Sequence, residues 1–177
     1  VFAEWTLPLQ QGRRLLSGYR LDRWHGEDQR AVIGGMMASM PNPTAGATRN
    51  EWRHSGFARI EAPLREMPAT LYAGVGHAER FPDYWEAIAK EALLSRSAFD
   101  SVRSEKTTQL DAGIVHRSAA TTLTLALFAN RVDDFILVDY APMMKMNGAV
   151  RNVDAASYGG ELGAARVFAH GWSADAS

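Results

Sequence analysis

The side chains best suited to proton transfer in this chain of 177 residues are those of Asp28, His116 and His170. An imidazole titrates close to neutral pH, so His170 could act as a general base, but a surface or core-edge histidine is the favoured interpretation. His116 could serve similarly, and there a connector histidine is favoured. Asp28 precedes an apolar run, which indicates either a carboxylate base beside the free N–H groups of a helix N-terminus or a simple helix cap.

Metal and cofactor chemistry have little support in the sequence. The five histidines show no paired ligand spacing, and the chain has no cysteine. Disulfides, thiolate nucleophiles and Cys-ligated metals are therefore excluded. The sequence contains no Walker loop, no dinucleotide fingerprint and no Gly-x-Ser-x-Gly elbow, so we expect no cofactor.

The composition narrows the class of protein. Apolar residues make up 46% of the chain and the formal net charge is −1, which argues against disorder and against a nucleic-acid partner. No apolar stretch reaches about 18 residues, so we expect no membrane span. We also expect a cytoplasmic protein. The first residue is Val1, without an initiator Met or a signal-peptide pattern, so we expect the chain to begin inside a longer polypeptide.

The element expected to position these groups is a helix over residues 27–40. Its acidic start favours a helix N-terminus, and Pro41 ends it. Because its body has little polar character on any face, we expect it to be buried on all sides, with Gly34 and Gly35 allowing close approach of another backbone. A second, amphipathic helix over residues 82–99 is expected to pack on the outside.

Residues 121–172 have the clearest pattern, that of antiparallel β-strands. Leucines alternate with small or hydroxyl residues over residues 122–127, which indicates a half-buried strand. A turn is predicted at residues 132–134 and another at Gly159 and Gly160. The last strand has one face of small residues, against which the glycine-bearing helix could lie.

Short motifs in this order resemble the thioesterase-like hotdog superfamily. They are residues 17–20 (Ser-Gly-Tyr-Arg), Gly26, Asp28, Met40 with Pro41, residues 131–137 (Arg-Val-Asp-Asp-Phe-Ile-Leu), Asn147 with Gly148, and residues 158–162 (Tyr-Gly-Gly-Glu-Leu). The resemblance implies an α+β hotdog fold, in which an antiparallel sheet wraps around a central helix. It further implies a single domain over residues 1–177, with a helical insertion at residues 44–120.

The same resemblance implies an acyl-thioester hydrolase, acting on acyl-CoA or acyl-ACP, or an acyl-binding domain. In the acyl-CoA thioesterases of this superfamily an Asp, a Ser or Thr and a Gln activate a water molecule. Thr121 stands at the Asp position, Pro142 near the hydroxyl residue, and Phe168 or His170 near the Gln, so the set is not retained cleanly. The candidate catalytic residues are Asp28, His170 and Thr121.

An acyl chain is expected in an apolar tunnel beside the predicted 27–40 helix. Gly34, Gly35 and Met36 are the candidate substrate-binding residues, and methionine suits either such a tunnel or core filling. A dimer or a second hotdog repeat is expected to complete the fold. Two alternatives stay open: a non-catalytic structural or assembly subunit, which the incomplete catalytic set favours, and an acetyl-CoA-dependent acyltransferase.

Overall fold

The computed structural model describes residues 1–35, 38–89, 97–139 and 149–177, which form mainly antiparallel strands. The strands are β1 (Phe2–Pro8), β2 (Arg14–Glu27), β3 (Val32–Gly35), β4 (Ala38–Pro41), β5 (Thr48–Pro63), β6 (Ala69–Arg80), β7 (Glu105–Arg117), β8 (Thr121–Asp139), β9 (Ala149–Val167) and β10 (Ser173–Ala176). Eight of them form one sheet in the order β1-β2-β5-β6-β7-β8-β9-β10, and β3 pairs with β4 in a separate hairpin.

Alternation along each strand gives the large sheet an apolar face and a polar face. Directly paired residues share a face, as Leu15 does with Ile60, and Ile60 with Ala73. The apolar face also carries Trp5, Leu7, Tyr19, Trp52, Leu71, Val75, Leu110, Ile114, Leu123, Leu125, Leu127, Tyr158 and Leu162. The polar face carries Arg14, Glu51, Arg53, Arg59, Glu61, Asp111, Asn130, Ser157 and Glu161.

The apolar face is not covered by any other part of the described chain. Leu110 is 57% exposed, Leu127 55% and Leu162 71%. A contiguous exposed surface of this kind marks contact with another apolar environment. Burial is concentrated elsewhere, in a small cluster of Ala98, Val102, Ile136 and Val150 that packs the helical turn α1 (Ala98–Ser101) against β8 and β9.

The two ends of the sheet differ in the length of their connections. At the short-turn end the strands are joined by residues 9–13, 64–68, 118–120 and 168–172. At the long-loop end they are joined by residues 28–47, 81–104 and 140–148. The strands β2, β5, β6, β7, β8 and β9 therefore run between a short-turn end and a long-loop end.

The predicted helix over residues 27–40 is wrong, because the segment completes β2 and then forms the β3–β4 hairpin. Val32 pairs with Pro41, and Gly35 with Ala38. A short apolar run fits a strand as well as a helix, and its β-branched and glycine residues disfavour the helix. The hotdog fold, which needs a helix wrapped by the sheet, is wrong for the same reason.

The predicted helix over residues 82–99 does not run through to its expected end. The described residues contain a π-helical turn, Trp85–Ala89, and the separate turn α1. Ser97 is extended and accepts a hydrogen bond from the N–H of Phe99, so it caps a new turn. Among the described residues, no helix is long and apolar enough to cross a bilayer.

Residues 44–120, predicted to be an insertion, contain β5, β6 and β7, which join β2 to β8 within the large sheet. The assignment of residues 1–177 to one domain stays a prediction.

The antiparallel pairing of the C-terminal third is confirmed, but its predicted turns are wrong. Residues 132–134 lie inside β8 and form a β-bulge, where Asp134 has a φ of 58° and the pairing with β9 shifts before Phe135. Aspartate tolerates this left-handed conformation better than most residues. Gly159 and Gly160 lie inside β9, which continues through them.

Candidate functional site

Buried polar side chains are concentrated at the long-loop end of the sheet. A buried polar or charged side chain is stable only when it has hydrogen-bond or ion-pair partners. The partners of these side chains therefore show which contacts the fold depends on. The buried side chains are Asp28, Asn42, Thr44, Arg53, Ser97 and Ser104. We take this end of the sheet as the candidate functional site.

Asp28 is the centre of the first buried network. Its carboxylate accepts hydrogen bonds from Arg30 Nε at 2.8 Å and Arg30 Nη2 at 2.7 Å. Asn42 Nδ2 donates to it at 2.9 Å and Thr44 Oγ1 at 2.8 Å. Its own N–H donates to the carbonyl of Ala47 at 3.0 Å. Because these partners flank the β3–β4 hairpin, the network closes the base of the 28–47 loop.

The same contacts fix the charge of Asp28. Hydrogen bonds from the Arg30 guanidinium, and then from Asn42 and Thr44, hold the pKa of the Asp28 carboxyl well below its usual range, against the opposing effect of burial. A carboxylate stabilised in this way is a weak base. The geometry therefore gives Asp28 a structural function, and its catalytic role stays a prediction.

Three arginines attach the 81–104 loop to the neighbouring elements. One lies in the 28–47 loop and two lie in β5, and each donates to a backbone carbonyl or hydroxyl of the 81–104 loop. Such charge-assisted hydrogen bonds are stronger than neutral ones. The bonds are Arg30 Nη1 to Ile88 O, Arg49 Nη1 to Phe99 O at 3.0 Å, and Arg53 Nη2 to Ser104 Oγ.

Arg53 also connects the charged and aromatic parts of the site. Its side chain is 10% exposed and forms ion pairs with Glu51 and, at 3.7 Å, with Glu79. Its guanidinium lies 4.2 Å from the centre of the Phe81 ring, which stacks on Trp24 at 5.1 Å. Cation–π contact and ion pairing together hold β2, β5 and the start of the 81–104 loop in one arrangement.

Nearer the short-turn end, paired charges continue along the polar face. Glu61 accepts from Arg14 at 2.6 Å and from Arg59 at 3.1 Å, and Arg59 lies 3.8 Å from Asp111. The Arg59 guanidinium also lies 4.0 Å from the centre of the Tyr72 ring. In the part of the chain that the structure describes, no three His, Cys, Asp or Glu side chains could hold a metal ion. A face of paired charges is suited to lining an aqueous space.

The structure does not bring the three predicted catalytic residues together. Asp28 lies at the long-loop end, whereas Thr121 begins β8 at the short-turn end, next to the turn that contains His170. The 19 residues of β8, which runs between these two ends, span about 60 Å. Thr121 N donates to Ser118 Oγ at 3.1 Å, and His170 is exposed with a φ of 64°. Their catalytic roles stay predictions.

The predicted substrate-binding residues fall in and beside the β3–β4 hairpin. Gly34 and Gly35 are in β3, where they pair with Ser39 and Ala38. Met36 lies outside the described residues. The role of these residues in substrate binding stays a prediction.

The arginine contacts were not among the predictions from the sequence, although β5 carries a signal for them. Arg49, Glu51 and Arg53 recur at every second position, with Asn50 and Trp52 between them. That period of two predicts a strand with one charged face. No comparable signal marks Asn42 and Thr44, because their contact with Asp28 depends on the hairpin.

Comparisons with known proteins agree with this architecture. A family model for TonB-dependent receptor-like β-barrels matches residues 1–177. The solved structure of the copper transporter OprC aligns with a TM-score of 0.87 and 42% identity, covering 98% of this chain and 27% of that chain. The ferric-catecholate import receptor Fiu from E. coli K12, in its closed form, aligns with a TM-score of 0.66 and 18% identity, covering 96% of this chain and 25% of that chain.

The chain thus spans about a quarter of the length of these two proteins. At 18% identity, the likeness to Fiu shows the fold alone. No curated protein is significantly similar to the chain.

These matches overturn the resemblance to hotdog thioesterases. Residues 17–20, 131–137 and 158–162, which carry that resemblance, lie inside β2, β8 and β9. Each is part of a long strand of an extended sheet. Short turn-like motifs with glycine and aspartate therefore gave a false match, because they occur here at a bulge and at close strand contacts.

Proposed function

The chain belongs to the TonB-dependent receptor-like β-barrel family, and we propose that it forms part of the wall of an outer-membrane receptor that imports copper. The sheet with one exposed apolar face and one face of paired charges carries the first part of this proposal. A wall between lipid and an aqueous interior needs such alternation. The identity of 42% to a copper transporter over 98% of the chain carries the second.

Family membership corrects several expectations. The acyl-thioester function, its structural-subunit and acyltransferase alternatives, the acyl-thioester partner and the hotdog dimer are wrong, because the match is to receptor barrels. The cytoplasmic location is wrong, because these receptors belong to the bacterial outer membrane. The expected absence of a membrane span considered helices alone, whereas a tilted strand of about 9–11 residues also crosses a bilayer.

The dimensions of β8 support the membrane placement. Its apolar face runs from Leu123 through Leu125 and Leu127 to Ala129, between Thr121 and Arg131 on the same face. The length of this segment matches the roughly 9–11 residues that a tilted strand needs to cross the hydrocarbon core. Every backbone group within it pairs with β7 or β9, as a lipid environment requires.

Leu127→Arg tests that placement directly. We expect it to destabilise the inserted full-length receptor by about 2–4 kcal/mol, because the arginine would face the middle of the bilayer. Urea titration of the receptor folded into vesicles measures the loss. Thr124→Arg, on the polar face of the same strand, is the matched control and should change stability far less. Equal effects of the two substitutions would refute the assignment of the faces.

Copper is chemically reasonable as the imported metal. The chain contains seven methionines and no cysteine, so thioethers are its soft ligands, and thioether ligands select Cu(I). Met40 lies in the β3–β4 hairpin at the long-loop end and is partly exposed. This end of the sheet combines the longer connections with a methionine that a metal could reach.

Uptake measurements test the substrate. We expect deletion of the gene for the full-length protein to reduce copper accumulation to background, and complementation to restore it. Met40→Leu should weaken uptake at limiting copper, whereas Met67→Leu, in the 64–68 turn, should have no effect. Unchanged copper accumulation together with lost ferric-catecholate uptake would show instead that the receptor imports a siderophore.

A further inference from the structure

The short-turn end of the sheet carries an excess of arginine. Arg13 lies in the 9–13 turn, Arg65 lies in the 64–68 turn, and Arg117 ends β7 just before the 118–120 turn. Arg166 lies two residues before the 168–172 turn. Glu66 is the one carboxylate within these four turns. The edge is therefore basic, although the whole chain has a formal net charge of −1.

These arginines follow the edge of the sheet at a regular interval. The four turns join β1 to β2, β5 to β6, β7 to β8 and β9 to β10, and these pairs succeed one another in the sheet. Neighbouring turns are therefore two strands, or about 10 Å, apart. An extended chain also rises about 10 Å over three residues, so a carboxylate at every third position of such a chain would meet one turn after another.

Hydrogen bonds between successive elements hold this edge in one arrangement. The N–H of Arg117 donates to the carbonyl of Pro68 at 2.8 Å, which ties the turn between β5 and β6 to β7. The N–H of Val167 donates to the carbonyl of Ala120 at 2.8 Å, which ties the turn between β7 and β8 to β9. A surface that is fixed in this way loses little conformational entropy when a partner binds.

Arg13, Arg65 and Arg117 are free to bind a carboxylate. All three are exposed, and none of their side chains forms an ion pair or a hydrogen bond with any part of the chain that the structure describes. Arg14, by contrast, is paired with Glu61 at 2.6 Å. The planar guanidinium group binds a carboxylate through two parallel hydrogen bonds, and arginine is enriched in protein–protein interfaces.

We propose that this edge is a docking surface for an acidic segment of a soluble periplasmic protein. The inference rests on the proposed function, because the short turns of outer-membrane barrels face the periplasm. The position of Arg117 selects a soluble partner over a lipid headgroup. Arg117 pairs with Thr122 on the polar face of the sheet, whereas lipid covers the apolar face. Of the four arginines along the edge, Arg166 is the one that a lipid headgroup would meet, because it pairs with Thr121 on the apolar face.

Fluorescence anisotropy with the full-length receptor in phosphatidylcholine nanodiscs tests the proposal. The probe is a fluorescein-labelled peptide of Gly and Ser with Glu at every third position, and the control peptide carries Gln in place of Glu. We expect the Glu peptide alone to bind. The triple variant Arg13→Gln, Arg65→Gln, Arg117→Gln should weaken its binding by about tenfold, because three exposed ion pairs are removed. Binding should also be lost in about 0.5 M NaCl, which screens exposed charges.

The matched control is the triple variant Arg23→Gln, Arg131→Gln, Arg151→Gln, which removes the same charge from exposed positions toward the long-loop end. It should bind the Glu peptide as the unmodified receptor does. Equal weakening in the two triple variants, or equal binding of the two peptides, would overturn the docking surface.

Anionic lipid is the competing occupant of the edge. Native mass spectrometry of both triple variants, released from nanodiscs that contain phosphatidylglycerol, should show the same retained lipid as the unmodified receptor. Loss of phosphatidylglycerol from the short-turn variant alone would overturn the proposal, by showing that lipid occupies the edge. Copper uptake is measured independently of peptide binding, so failure of the docking surface and failure of the proposed function are distinguishable.

Discussion

Gly113→Ala is expected to prevent native pairing of β6, β7 and β8. A Cβ at this position would lie 2.3 Å from the backbone oxygen of Leu125 and 2.5 Å from Tyr72 Oη. The tyrosine could rotate away, but the Leu125 oxygen belongs to the strand ladder and could move only by breaking it. We expect a loss of about 3 kcal/mol or more, at the upper end of overpacking effects.

The unfolding midpoint of the full-length receptor in urea, with the folded fraction on unheated gels, measures this effect. Gly76→Ala is the matched control, because it lies on the same polar face and a Cβ there would meet nothing within 4 Å. Adding Tyr72→Ala to Gly113→Ala should not restore folding, since the contact with Leu125 remains. Full rescue by that second substitution would show that the ring alone is the obstacle.

Asp28→Asn is expected to open the 28–47 loop. The substitution keeps the shape of the side chain but removes the charge that Arg30 pairs with, and its new N–H₂ group cannot accept from Asn42 or Thr44. Breaking a buried ion pair by removing one partner costs about 3–5 kcal/mol. Hydrogen–deuterium exchange across residues 28–47 should rise while exchange in β2 and β5 stays slow.

Asp22→Asn is the control for this substitution. Asp22 pairs with Arg20 at 2.6 Å on an exposed part of β2, where an ion pair contributes about 0–1 kcal/mol. We expect loop exchange in that variant to match the unmodified receptor. Equal exchange of the 28–47 loop in both variants would contradict a closing role for Asp28.

Acidification should also open the 28–47 loop, by protonating Asp28. The pKa of Asp28 is lowered in the folded protein. The carboxylate therefore stabilises the folded loop fully above the ordinary carboxyl pKa of about 4, and this stabilisation is lost only as the pH falls through the lower pKa of the folded state. The loop should therefore stay protected from neutral pH down to about pH 4 and open only in stronger acid. In Asp28→Asn this acid-dependent step should be absent.

The sequence predicts the β-structure of the C-terminal third, because alternation in residues 122–127 has a single interpretation. It could also have predicted β5 from the alternating charges of Arg49, Glu51 and Arg53. The central error has a physical cause. The apolar run between the acidic pair Glu27 and Asp28 and Pro41 was interpreted as a buried helix, because a short apolar run fits a helix and a strand equally well. In the fold the run forms the β3–β4 hairpin, so the sheet wraps no central helix.

The candidate site was harder to predict than the strands. The catalytic role of Asp28 stays a prediction, and its partners Asn42 and Thr44 follow it by 14 and 16 residues and approach it only through the hairpin. The arginine contacts with the 81–104 loop likewise join segments far apart in sequence. Neither the Asp28 network nor the arginine contacts leave a pattern in neighbouring residues of the sequence. Both can therefore be identified only from the three-dimensional fold.

The bulge at residues 132–134 has a consequence for mutational scanning. Before the bulge, the even-numbered residues of β8 lie on the polar face, as Val132 does opposite Ala155. After the bulge, the odd-numbered residues lie on that face, because Phe135 pairs with Val153, which is on the same face of β9 as Ala155. The positions of β8 that tolerate a charged substitution should therefore change from even-numbered to odd-numbered at the bulge. A saturation scan of β8 would display the reversal as a break in an otherwise regular alternation, with no structure determination needed to locate it.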